Sequence, residues 1–110
     1  MANPPLKIDF IASATKLAAS GQASVALFQH GDARVLLFVP QDQDTQQAHK
    51  HDELYFVQTG QGIFKRGGET VRFHAGDVLF VPAGVPHRFA SFSAEFKAWV
   101  VFFGPEGGAK

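Results

Sequence analysis

Apolar residues recur at every second position along most of the chain, in short runs separated by glycine and proline. The runs Val25–Phe28, Val35–Val39, Leu54–Gln58, Gly62–Arg66, Glu69–Phe73, Val78–Val81, His87–Ala90 and Phe96–Phe103 read as β-strands, rich in the Val, Phe and Tyr that suit a pleated surface. Gly67-Gly68, between Phe64-Lys65-Arg66 and Glu69-Thr70-Val71, predicts a two-residue hairpin, because the turns that match strand twist require positive φ. Only Ser13–Ser20, SATKLAAS, departs from the period of two: Ser13 caps a short helical turn, Leu17 packs it and Gly21 stops it. Val35–Val39, Leu54–Val57 and Trp99–Phe103 are apolar at successive positions, which predicts cover on both faces. One face meets a barrel interior and the other a second sheet or a second copy of the chain, so a homodimer paired through sheet faces is expected. A closed or nearly closed sandwich would also remove the exposed edges of so many strands. The fold class is therefore all-β, a small β-barrel or jelly roll with a short N-terminal helical turn.

Length and composition narrow this further. The 110 residues make one domain, 1–110, with residues 1–22 as a lead-in and 104–110 as a flexible tail. Charged residues are only 18% and Phe supplies 12 of the aromatic side chains, so a generous apolar interior is expected. The lack of cysteine excludes a disulfide framework, thiolate metal sites and thiol catalysis. Ten Lys+Arg balance ten Asp+Glu without a basic cluster, so neither nucleic acid nor an anionic membrane is an expected partner. The opening MANPPLKIDF lacks the basic start and apolar run of a signal peptide, and no apolar stretch is long enough to span a bilayer; a soluble, cytoplasmic protein is expected. The glycines fall between strands and open no helix, so they form no phosphate loop, and there is no Gly-x-Ser-x-Gly elbow.

The chemistry-bearing residues are concentrated in Gln47-Ala48-His49-Lys50-His51-Asp52-Glu53, with His87 following the turn Pro82-Ala83-Gly84-Val85-Pro86. Imidazole nitrogens and carboxylate oxygens bind transition metals at about 2.0–2.2 Å, so the donors must converge on one point. On a straight strand His49 and His51 share a face, whereas His49 and Glu53 lie about 13 Å apart. Either the chain bends before Asp52 and Glu53, or one histidine is not a ligand. With Glu53 turned inward, the period of two turns Tyr55 and Val57 inward, and an inward His87 does the same for Phe89. Each candidate also has a plain structural reading. His87 would be a polar strand-start residue, His49 a loop histidine, Glu53 a solvated charge, and Tyr55 a core residue whose hydroxyl meets the backbone. His30 and His74 read as solvent-exposed, and Trp99 as packing.

At these residues the chain resembles the cupin superfamily, whose fold is a double-stranded β-helix, or jelly-roll barrel. Glu53, the residues Leu54 to Thr59, and Gly60 match the second half of the family's first motif, and Gly76, Pro82, Gly84 and His87 match the second motif position by position. The resemblance covers about Val25 to Phe103. Ser91 stands where the family has asparagine, and only Asp52 separates His51 from Glu53, a shorter spacing than usual. If spacing to Glu53 governs, the resemblance implies His49, Glu53 and His87 as ligands with Gln47 in the first histidine's place. If the His-x-His pair governs, His51 joins them. The first set resembles the two-histidine, one-carboxylate triad of non-haem Fe(II) oxygenases. The cofactor implied is a divalent transition metal, with Fe, Mn, Ni, Cu and Zn all compatible with these donors. Tyr55 would be the catalytic hydroxyl of a pocket for a small-molecule substrate. The resemblance implies oxygenases, isomerases and decarboxylases, and equally a non-catalytic ligand-binding barrel or a metal-free structural cupin.

Overall fold

A computed structural model describes residues 5–41 and 48–109. Helix α1 (Phe10–Ser20) precedes eight strands: β1 (Ser24–His30), β2 (Ala33–Phe38), β3 (Asp52–Thr59), β4 (Gln61–Arg66), β5 (Glu69–His74), β6 (Val78–Val81), β7 (His87–Phe92) and β8 (Lys97–Phe103). All the strands expected from the alternation are present. The helix starts earlier than Ser13, because the Asp9 carboxylate accepts from the Ala12 amide at 2.9 Å and caps it; the Ser13 hydroxyl instead donates back to the Asp9 carbonyl at 2.6 Å. Gly21 ends the helix in the left-handed region, as its place in the sequence suggests.

The strands form two antiparallel sheets, one of five strands in the order β1-β2-β8-β3-β6 and one of three in the order β5-β4-β7. The doubly apolar strands β2, β8 and β3 lie side by side in the middle of the larger sheet. Their registers align Phe38 with Ala98 and Val57, Leu36 with Val100 and Tyr55, and Arg34 with Phe102 and Glu53. Directly opposed residues share a face, and this face carries the core. Phe38, Tyr55, Val57, Val100 and Phe102 pack there against Phe64, Phe73, Phe89 and Phe96. Phe89 is the hub, with ring centroids of Phe64, Phe96 and Tyr55 within 5.0 Å of its own.

Two glycines make this packing possible. A Cβ on Gly60, at φ +92, would lie 2.5 Å from the Phe96 Cα, and one on Gly62 would run into the Ser91 carbonyl. The β4–β5 hairpin turns at Gly67-Gly68 as expected, but only Gly67 has positive φ, as in a turn with glycine needed at the first central position.

The expected small barrel is built as two antiparallel sheets packed on a common core. Among the described residues no backbone ladder joins the two sheets, so β1, β6, β5 and β7 remain edge strands. One gap is bridged by a side chain: Arg66 Nη1 donates to the Phe80 carbonyl at 2.8 Å and Nη2 to Glu69 Oε1 at 2.7 Å. Outside the larger sheet, α1 packs on β1 and β2, with Leu17 and Leu37 buried and Phe10 edge-on to Trp99. The rest of that outer face is apolar and open: Phe56, Val78 and Phe80 are exposed, and Leu54 and Val101 are half-buried. No described helix is long and apolar enough to cross a membrane.

Candidate metal centre

His87 opens β7 directly after the Pro82–Pro86 turn, where Gly84 takes φ +81. The His87 Nδ1–H donates to the Val85 carbonyl at 3.0 Å, since a carbonyl only accepts. This fixes the ring and leaves Nε2 facing the barrel interior, 3.1 Å from the Tyr55 hydroxyl, which donates to it when the imidazole is neutral. Glu53 lies opposite Phe102 on the inner face of β3, and its Oε1 comes within 3.0 Å of His87 Nε2. Both side chains are almost wholly buried, His87 to 0% and Glu53 to 1% exposure.

His49 reaches the same point from outside the strands. Residues 48–51 belong to no strand: the chain bends at Lys50-His51 before β3 begins at Asp52. The bend is held from two sides. Gly84 N–H donates to the His49 carbonyl at 2.8 Å, and Gly107 N–H donates to the Lys50 carbonyl at 2.7 Å. It brings His49 Nε2 to 3.9 Å from Glu53 Oε1, where a straight strand would hold the residues far apart. The His49 ring stands edge-on to Phe102 at 4.9 Å and lies 5.3 Å from the His87 ring. Burial lowers the His49 pKa below its ordinary value; the Glu53 carboxylate opposes this, and His87 and Arg34 add to it. A neutral imidazole, the form that binds metals, is thereby favoured at neutral pH.

The other expected site residues separate clearly. His51 is not brought into the cluster: the same bend turns its ring away, and Nδ1 lies 3.0 Å from the Gly104 carbonyl. Gln47 falls outside the described residues. Tyr55 is fully buried between Phe64, Phe89 and His87. His30 and His74 are exposed, as expected.

Sequence reasoning missed Asp52. It is buried, with Oδ1 accepting from Ala83 N–H at 2.9 Å and Oδ2 from Ala109 N–H at 3.1 Å, so it ties the His49 bend to the turn that carries His87 and to residues 104–109. The expected tail is hydrogen-bonded at Gly107 and Ala109, and Gly108 is buried against the Asp52 side chain. A carboxylate beside two histidines reads as a ligand or a surface charge, and only the fold reveals it as a brace.

The donor set fits a metal ion. His49, Glu53 and His87 each offer one ligand atom, and these atoms lie within 4.8 Å of one another. Among the described residues, His49 Nε2 and both Glu53 carboxylate oxygens are buried without a hydrogen-bond partner. Buried polar atoms are normally satisfied, and a carboxylate left unpaired in an apolar interior is costly. A cation shared by two imidazoles and a carboxylate would satisfy all three atoms, and two nitrogens with one oxygen suit a transition metal better than calcium or magnesium.

Comparison with known proteins agrees with this architecture. Over 63 residues the chain is 43% identical to an uncharacterized protein of Streptomyces coelicolor, a match covering 57% of this chain and 60% of that protein. Over 42 residues it is 40% identical to an oxalate-binding protein of Thermotoga maritima, covering 36% of this chain and 35% of the other. The chain thus spans less than two thirds of either relative. Among solved structures, the DMSP lyase DddQ from Ruegeria pomeroyi superposes with a TM-score of 0.64 at 25% identity, over 74% of this chain and 46% of that one. The family profile for the cupin domain matches residues 34–103, more than half the chain and all the strands around the cluster. The chain belongs to the cupin family.

Proposed function

We propose that the protein is a metal-dependent cupin enzyme, an oxygenase or isomerase of a small organic substrate, with His49, Glu53 and His87 as ligands of one divalent transition metal ion. The observation that carries this reading is the convergence of His49, Glu53 and His87 on one point, where the buried donor atoms of His49 and Glu53 lack a hydrogen-bond partner among the described residues. When bound, the metal supplies a Lewis acid with positions open to substrate, as two-histidine, one-carboxylate sites do. The chain's own residues do the rest. The Val85 carbonyl holds the His87 tautomer that presents a basic Nε2. The Tyr55 hydroxyl, beside that nitrogen, places a proton donor at the inner wall of the site, the catalytic role proposed for it. The ring wall of Phe38, Phe64, Phe89 and Phe102 excludes water.

Elemental analysis of purified wild type beside His49→Ala, His51→Ala, Glu53→Ala and His87→Ala, after growth with Fe, Mn, Ni, Cu and Zn all supplied, tests the assignment. One ion per chain is expected in wild type and in His51→Ala, with loss in the other three. Wild-type protein without metal overturns the reading. A second reading, a non-catalytic barrel that binds a small ligand, draws support from the relative that carries the name oxalate-binding protein. It predicts ligand retention without turnover.

We further propose that the open apolar face of the larger sheet is covered by a second copy of the chain. Phe56, Val78 and Phe80 form an exposed patch continuous with Leu54 and Val101, and a two-fold pairing would cover it on both copies.

A further inference from the structure

Resting on the metal-centre reading above, we infer that Arg34 is the recognition residue for the substrate of this site, and that the substrate is a small organic acid whose carboxylate the guanidinium holds. Arg34 lies opposite Phe102 on β8, Phe102 lies opposite Glu53 on β3, and Glu53 lies opposite Val81 on β6. These residues form one rung across the larger sheet. Directly opposed side chains share a face, and Phe102, Glu53 and Val81 are buried on the inner face, so Arg34 lies on that same side, with its side chain exposed to solvent at the end of the rung.

Two strand spacings of about 4.8 Å put the Arg34 backbone about 10 Å from that of Glu53, with the Phe102 ring between them. The guanidinium bends over this ring, its Cζ 5.6 Å from the centroid, while His49 stands against the same ring at 4.9 Å. Cation, flat apolar shelf and metal-binding imidazole therefore follow one another within the reach of a short molecule. The Arg34 charge is also felt at His49, where it helps keep the imidazole neutral.

Charge and hydrogen-bonding capacity single out Arg34 from the other cation on the interior side. Arg66 lies opposite His87 on the smaller sheet, but its guanidinium is already committed to the Phe80 carbonyl and Glu69. Arg34 makes no ion pair with any described residue. A planar fork of N–H donors held over an aromatic face is the geometry that pairs with a carboxylate through two parallel hydrogen bonds. The remaining oxygen functions of a short acid bound there would extend across Phe102 toward His49, Glu53 and His87. A neutral molecule of the same shape would leave the guanidinium unpaired, so the site selects for charge as well as size.

Calorimetric titration with malonate, and with its uncharged diamide malonamide, tests this on metal-supplemented wild type, Arg34→Met and Arg34→Lys. Methionine keeps an apolar stem over Phe102 while removing the charge. Wild type is expected to prefer malonate. Arg34→Met should weaken malonate binding by about tenfold or more without changing malonamide binding, and Arg34→Lys should fall between. Metal content and melting temperature should match wild type in both variants. Malonate affinity in Arg34→Met within about twofold of wild type, or a wild type that does not distinguish the two compounds, overturns the inference. Failure of the metal reading is separately visible as wild-type protein without metal in elemental analysis. An Arg34-dependent preference for malonate in that same protein would still uphold the recognition role.

Discussion

Glu53 shows how far stability and function pull apart at a single residue. Its carboxylate is buried with both oxygens lacking a hydrogen-bond partner among the described residues, an arrangement that serves a cation and burdens the protein without one. Glu53→Gln is therefore expected to abolish metal uptake while stabilising the metal-stripped protein by about 1–2 kcal/mol, measured by urea unfolding after chelation. A loss of stability in the stripped variant would contradict the assignment. Tyr55 behaves differently, because its ring is held by Phe64 and Phe89 whatever its hydroxyl does. Tyr55→Phe should keep its metal and lose about 1 kcal/mol of stability, and any turnover should fall much further than the fold does. Equal turnover in the two proteins would remove the hydroxyl from the mechanism.

Among the elements, the segment from His49 to Asp52 has most to do with the site and least secondary structure of its own. Asp52 braces it with two hydrogen bonds from backbone amides on different segments. Asp52→Ala should cost about 2–4 kcal/mol in urea unfolding and weaken metal binding as well, although Asp52 touches no proposed ligand position. Gly62→Ala should be at least as damaging, because the added carbon meets the Ser91 carbonyl and the Phe73 ring. Helix α1 offers a pH test. The hydrogen bond from Ala12, with help from Lys7, lowers the Asp9 pKa. A lowered carboxyl pKa contributes stability that is complete above the unfolded value of about 3.9 and is lost as pH falls through the folded value. The stability gap between wild type and Asp9→Ala, followed by chemical unfolding, should be constant near neutrality and close below about pH 4.

These elements also show what the sequence makes legible. Strand alternation is a local signal, so β3, β7 and β8 could be placed, and once Glu53 and His87 are taken as inward the same period turns Tyr55, Val57 and Phe89 inward. The pairing of His49 with Glu53, and the exclusion of His51, could not be placed. The bend that decides them is set by the amides of Gly84 and Gly107, distant in the chain and without a local pattern. The helix cap at Asp9 was missed, because Ser13 before Leu17 is an equally plain local signal.

At the scale of the whole molecule, the unequal sheets leave one broad apolar face. Stable interfaces bury about 800 Å² on each partner, and the face formed by Leu54, Phe56, Val78, Phe80 and Val101 is the surface proposed to supply it. Light scattering at micromolar concentration should give twice the 11.9 kDa chain mass, and Phe56→Lys combined with Phe80→Lys should return a folded monomer. A wild-type monomer would refute the pairing. The order of strands has a further consequence. β8 lies between β2 and β3, yet it follows β3 in the chain only after β4, β5, β6 and β7. Until it arrives, two sticky strands face each other across a missing neighbour, and the wall carrying Glu53 has no counterpart at Phe102. Pairing so distant in the chain must close a long loop before it gains contacts, so refolding after denaturant dilution is expected to be slow for a chain of this length.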